Sequence, residues 1–242
     1  MSYKSTILAD TPTAYYRFNE SSGTSALDSS GNSNTATINT SGITYGVAGA
    51  LTNDPNKAFT FDGSTGYVDV PAGLSPTGLT TFSVECWFNT SGFGSNSRLV
   101  ANGHTDSDHN GFQLYFNGSR IEFEVGNGSV QANASAVAGI SNGTWYHIVG
   151  VYDGINILIY QNAVQTVGGS FSTTVSSDGH AISIGRNPVY NGDYAAATID
   201  EVAIYDSIAL SSARVTAHYN ARTAFPGTPA IIGNHHAFGR IQ

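Results

Sequence analysis

Charge is what this chain has least of. Asp, Glu, Lys and Arg together make up 11% of its 242 residues, against about 25% in typical soluble domains. Lysine is confined to Lys4 and Lys57. With the arginines scattered and a net charge of −8, no basic stripe exists to neutralise a phosphate backbone, and nucleic acid is not expected as a partner. Cys86 is the sole cysteine, which rules out an intramolecular disulfide and any cysteine-based zinc cluster. Between Glu85 and Trp87 in a strand-like run, it reads as a small buried hydrophobe. No apolar run approaches about 18 residues, and the opening MSYKSTILADTP has neither an apolar h-region nor a small-residue cleavage site. Membrane insertion and export by that route are therefore not expected.

Gly, Ser, Thr and Asn take the place of charge, a turn-rich composition. Apolar residues at 40%, including 12 Phe, 13 Tyr and 2 Trp, supply a core and exclude general disorder. The length suits one all-β sandwich, a class that fills roughly 200 to 250 residues as a single unit. Residues 145–164, WYHIVGVYDGINILIYQNAV, organise the rest. Two β-rich runs, 145–152 and 155–160, flank Asp153-Gly154, a strong hairpin signal because Gly tolerates positive φ. Ile155, Ile157 and Ile159 alternate with polar and larger residues, as on a strand buried mainly on one face.

Along the chain, residues 5–10 suit one helical turn stopped before Pro12. Residues 14–19 read as a strand, and 20–40 as a small-polar loop or a pair of short edge segments. Strands are expected at 58–61 and 67–70 around an Asp62 to Gly66 turn. In 81–90, Phe82, Val84, Cys86 and Phe88 point inward, with Trp87 on an exposed or concave face. Further strands follow at 99–102, 112–116, 120–125, 181–185 and 197–205, with Asn117-Gly118 turning 112–116 and 120–125 into a hairpin. This spacing, with no helical period between strands, signifies an antiparallel sandwich. One late helix, capped by Ser211 or Ser212, runs to about Asn220. Pro and Gly then break all regularity, so the expected division is a domain at 1–222 and an extended arm at 223–242, with Phe225, Ile231, Ile232, Phe238 and Ile241 too apolar for a solvated tail.

Four motifs in order resemble the laminin G-like jelly rolls of the concanavalin A-like lectin/glucanase superfamily. They are YYRFNESSGTSALDSSGNSN at 15–34, AFTFDGSTGYVDVP at 58–71, the 144–164 hairpin, and ATIDEVAIYDSIALSSARVTAHYN at 197–220. Gln161-Asn162-Ala163 departs from the Asp-Gly turn usual there. The resemblance implies two curved antiparallel sheets with ligands on the concave face or rim loops. It also implies that Asp28 and Asp200 lie close enough to share a structural calcium ion with Asn32. Asp28, Ser30 and Asn32 do alternate oxygens in a Gly-containing loop, as a hard cation requires; the competing reading is turn capping.

Two rim loops carry candidate ligand-binding residues. RNPVYNGDY at 186–194 offers Arg186, Tyr190, Asn191, Asp193 and Tyr194, the aromatic-plus-amide mixture that sugar binding uses. NGHTDSDHN at 102–110 concentrates His104, Asp106, Asp108 and His109. Catalysis is not expected. Glu122 and Glu124 share a strand face, but the Glu-x-Asp-x-x-Glu pattern of the superfamily's catalytic members is missing, and no nucleophile elbow, phosphate loop or HExxH occurs.

The expected role is a non-enzymatic virion component of a phage, a capsid-decoration or tail-associated protein. The chain starts at Met1 without a signal, and segment 8–15 resembles the opening of laminin G-like domains in phage. The arm would dock it on other virion proteins, with host-surface glycans a further partner and homo-oligomerisation open. The alternative is a calcium-dependent carbohydrate-binding module of a larger extracellular, cell-surface protein.

Overall fold

A computed structural model describes residues 1–92, 94, 96–103, 109–136, 139–176 and 179–224. The chain folds into two antiparallel sheets stacked face to face. Sheet A runs in the order β14 (Val164–Ser170), β13 (Asn156–Gln161), β12 (Tyr146–Tyr152), β7 (Phe82–Thr90), β16 (Ala196–Asp206), β5 (Lys57–Asp62) and β4 (Ile43–Ala48), with β1 (Ala14–Tyr16) also pairing with β16. Sheet B runs β11 (Gln131–Ser135), β10 (Ile121–Asn127), β9 (Asn110–Phe116), β8 (Arg98–Ala101), β15 (Ser183–Ile184), β6 (Tyr67–Asp69), β3 (Ala36–Asn39) and β2 (Ser25–Ala26). The expected all-β sandwich is present.

Period-two alternation builds the layer between the sheets. Phe82, Val84, Cys86 and Phe88 of β7 all point into it, together with Ile157 and Ile159 of β13 and Leu114 and Phe123 of sheet B. Ile155 departs from the expected row: it sits in the hairpin turn and is 63% exposed. The turn itself is held by Asp153, whose Oδ1 accepts the N–H groups of Ile155 at 2.9 Å and Asn156 at 2.7 Å. At Gly150 the two sheets approach so closely that a Cβ would sit 2.4 Å from the Phe123 ring. The next turn, between β13 and β14, places Asn162 at φ +51° and Ala163 at φ +67°, the left-handed pair that a two-residue hairpin needs and that Gly normally supplies.

The outward face of sheet A carries a second apolar layer. Tyr3 and Ile7 of α1 (Tyr3–Leu8) and Val215 of α2 (Ser212–Ala221) pack over Trp87, Val149, Tyr160 and Tyr205. Side chains of Ser2 and Ser211 cap the helices by accepting from the backbone N–H groups of Ser5 and Arg214, as the preference for Ser at such positions predicts. These helices correct the expectation for Trp87. It does face away from the main core, but it is 2% exposed, its indole N–H donating to the Tyr3 hydroxyl at 2.8 Å and its ring stacked on His147 and Tyr219.

Beneath the helices lies a polar knot. Glu85 accepts from His147 Nε2 at 2.8 Å, from His218 Nδ1 at 3.1 Å and from the Tyr205 hydroxyl. His218 Nε2 reaches Asp10 at 2.7 Å, and Asp10 also pairs with Arg214. His147 is a buried sheet histidine held by Glu85 through Nε2, but it is not fully satisfied, since its Nδ1 is buried without a hydrogen-bond partner among the described residues. Burial alone would raise the Glu85 carboxyl, yet the charge of His218 and the hydrogen bonds from both histidines hold it well below the usual range. Burial opposes the charged form of His218 too, but the Glu85 charge and the bonds to Glu85 and Asp10 raise it.

Candidate functional site

The rim loop 186–194 is a compact turn folded onto the outward face of sheet B. Asn187 and Gly192 form a bridge across it, and the Asn187 Oδ1 accepts the Val189 N–H at 2.9 Å. Asn191 and Asp193 both sit at left-handed φ, +53° and +52°, a conformation Asn and Asp tolerate better than most residues and one that clusters at functional sites.

All five residues expected here come together. Arg186 stands at the centre: its guanidinium lies 3.5 Å from the centroid of the Tyr67 ring and grips both Asp69 oxygens, at 3.0 and 2.8 Å. It also donates to the Asn191 amide oxygen and, at 3.2 Å, to Ser183 Oγ. The Tyr194 hydroxyl donates to the same Asn191 oxygen at 2.8 Å, and the Tyr190 hydroxyl donates to Asp193. Asp193 continues the network inward to Arg98 at 3.3 Å, and Arg98 stacks on Tyr115. Tyr190 is 50% exposed, Asn191 is exposed, and Tyr67, Asp69 and Tyr194 are half-buried. The result is a rigid, partly open platform of three tyrosine rings, an amide and a carboxylate. Its two arginines are matched by two aspartates, so it presents no net charge.

Sequence reasoning missed Tyr67, Asp69 and Arg98. The first two had a usable signal, since residues alternating around the inward Val68 must face out of the sheet. Nothing local marked Arg98, which joins the site through cross-strand pairing and the fold of the loop. Of the other expected residues, His104, Asp106 and Asp108 lie outside the described residues, as do Phe225, Ile231, Ile232, Phe238 and Ile241 of the arm.

The same face of sheet B carries Glu122 and Glu124, and each is locked. Glu122 accepts from Tyr115 at 3.0 Å, Asn117 at 2.5 Å, Asn133 at 3.2 Å and Ser135 at 2.6 Å. Glu124 accepts from Gln113 at 2.7 Å. Both are buried, and four donors on one carboxylate oppose the proton exchange that an acid or base must perform.

The expected calcium ligands do not fit a shared ion as they are placed. Asp28 spends both oxygens on the N–H groups of Tyr15, Ser30 and Asn34 and on the Ser30 hydroxyl, at 2.7 to 3.0 Å, an Asx-type cap. The Asn32 amide donates to the carbonyls of Pro12 and Thr13. Asp200 is buried in the β16 bulge beside Glu201, accepting from the Ala50 N–H at 2.9 Å and from Asn56 at 3.2 Å. Positive charge there comes from Arg17, which binds Glu201 at 3.0 Å and Asp54 at 3.0 Å. Burial raises both carboxyls, and in Asp200 the neighbouring Glu201 charge adds to it. Among the described residues no three His, Cys, Asp or Glu side chains are grouped to hold a metal.

Fold and rim together define an antiparallel jelly roll with a loop platform on the outward face of sheet B. Residues 62–216 match a laminin G family described under the concanavalin A-like lectin/glucanases superfamily, and the chain belongs to that superfamily. No curated protein matches it. Among solved structures it is similar to the binding domain of Paraclostridial Mosquitocidal Protein 1, with a TM-score of 0.67 and 14% identity over 88% of this chain and 53% of that one. It is also similar to domain 4 of AbnA, a GH43 extracellular arabinanase from Geobacillus stearothermophilus, in complex with arabinotriose (TM-score 0.60, 21% identity, 86% and 98% covered). A third similar structure is the ligand-binding domain of botulinum neurotoxin serotype D in complex with N-acetylneuraminic acid (TM-score 0.67, 14% identity, 90% and 52% covered). At these identities the likeness is one of fold, and the chain spans about half the length of the toxin domains.

Proposed function

We propose that this protein is a non-catalytic recognition module that binds a neutral glycan on the Arg186 platform. The carrying observation is the assembly of Tyr67, Tyr190, Asn191 and Tyr194 around an arginine whose charge Asp69 already balances. Aromatic faces suit the C–H face of a sugar ring, while the amide and carboxylate oxygens suit its hydroxyls. An anionic sugar would find no unbalanced cation there and a chain of net charge −8. Similar folds in complex with arabinotriose and N-acetylneuraminic acid support a saccharide as the ligand class, and the extracellular arabinanase supports a place of action outside the cell. A glycan array followed by calorimetry tests the reading. Loss of about 2 kcal/mol, some 30-fold in affinity, is expected for Tyr194→Ala or Asn191→Ala, the scale of a buried binding anchor. Unchanged affinity in both variants would overturn it.

Attachment to a virion through residues 223–242 is a separate proposal, supported by the apolar composition of that segment. Truncation after Arg222 is expected to keep the fold and abolish binding to the particle; retained binding would refute it.

A further inference from the structure

The helices cover only one end of sheet A's outward face. Beyond Trp87 the register sets Asn89, Thr198 and Thr60 side by side on β7, β16 and β5, all on the face opposite the core residues Phe88, Ile199 and Phe61. They floor an open groove of about 690 Å³ whose walls add Ser91, Asn142 and Ala196. That volume lies within the roughly 300–1,000 Å³ of ordinary ligand sites.

The groove's chemistry is specific. Thr60 and Thr198 bond to each other through their hydroxyls at 2.7 Å, which leaves one hydroxyl hydrogen and the remaining lone pairs for other partners. The Asn142 amide N–H donates to the Ser91 carbonyl at 2.8 Å, leaving its amide oxygen for a ligand. The Asn89 amide, half-buried between them, makes no hydrogen bond among the described residues. Threonine methyls and Ala196 supply apolar patches between these polar groups. Among the described residues Asp62 is the one carboxylate in the lining, and its oxygens are taken by Ser64, Thr65 and Gly66 at 2.7 to 3.0 Å. The lining therefore offers hydroxyls, amides and C–H surface with no free charge.

We infer that this groove is a second saccharide site, taking a neutral, hydroxyl-rich chain on the face of the sandwich away from the Arg186 platform. It shares with the preceding reading only the ligand class. The protein would then hold glycan on both faces and could bridge two chains.

The test is a titration of the uniformly 15N-labelled full chain with arabinotriose, xylohexaose and maltohexaose, read by amide chemical shifts. Saturable shifts at 60–62, 89–91, 142–143 and 196–198 are expected, and Asn89→Leu should weaken that response at least tenfold while leaving any response at 186–194 intact. Thr198→Val gives a second reading with a near-isosteric change. Shifts confined to 186–194 would overturn the groove and leave the platform standing. Shifts confined to the groove would support the groove and overturn the platform. No saturable shift with any of the three sugars would overturn the groove, as would a groove response that both variants leave unchanged.

Discussion

Replacing Glu85 with Gln tests whether the polar knot under the helices fastens them to sheet A. The carboxylate is fully buried and accepts from His147, His218 and Tyr205. Removing its charge strands the His218 imidazolium with Asp10 as its remaining counter-ion. Breaking a buried pair by removing one partner costs about 3–5 kcal/mol, and for a chain of this size each kcal/mol lowers Tm by about 2–4 °C, so a fall of about 6–20 °C is expected in calorimetry. The deficit should also depend on pH. The folded value of His218 is raised, so its contribution is complete below the unfolded value of about 6.5 and is lost as pH rises through the raised value. The folded value of Glu85 is depressed, so its contribution is present above about 4.3 and is lost as pH falls through the depressed value. The gap between wild type and variant should therefore be widest between about pH 5 and 6.5 and shrink on either side. A Tm loss under about 2 °C, or a gap flat from pH 4 to 9, would refute the ion-pair account. Combining Glu85→Gln with His218→Gln should cost less than the sum of the two single losses, since the partners share one interaction.

Gly150→Ala places a Cβ against the Phe123 ring and should cost about 1–3 kcal/mol by overpacking, measured by denaturant titration; a neutral result would mean the sheets have slack there. Ala163→Gly relieves a left-handed alanine and should stabilise by about 1 kcal/mol, visible as a higher midpoint. Buried Asp200 and Glu201 have raised folded values, Glu201 to about 7. Both contributions are therefore present below about pH 4 and are lost as pH rises through the raised values, that of Glu201 through about 7, so Glu201→Gln should flatten the decline of Tm between about pH 5 and 7. EDTA should leave Tm unchanged, because the Asp28 and Asp200 oxygens already have protein donors; a drop on chelation would show that an ion stabilises the native state by mass action.

Alternation and turn chemistry made most of the sandwich legible. The β7 row from Phe82 to Phe88 and the hairpin around Asp153 needed only period two and one Asp-Gly. Strands β4, β11 and β14 escaped, because ITYGVA, QANAS and VQTVGGS carry too few core side chains to show a period; cross-strand neighbours hold them in place. Trp87 was misjudged for a related reason. Its face was read correctly, but only long-range packing brings Tyr3 and Tyr219, at opposite ends of the chain, over the indole. The rim loop was legible because its residues are contiguous. Arg98 and Asp69 reach Asp193 and Arg186 across nearly a hundred residues or more, a relation that no local pattern records.

The first and last helices meet on one side of the molecule, tied by Asp10 to Arg214 and His218, while Thr52 and Asn53 hold the chain at Arg222 and Thr223. Both ends of the described chain therefore depart from the sheet A side, and the tyrosine platform looks the opposite way. A linker, resin or sensor surface joined at Met1 lies on the side away from the platform, so protein immobilised through that end should turn the platform toward whatever passes in solution.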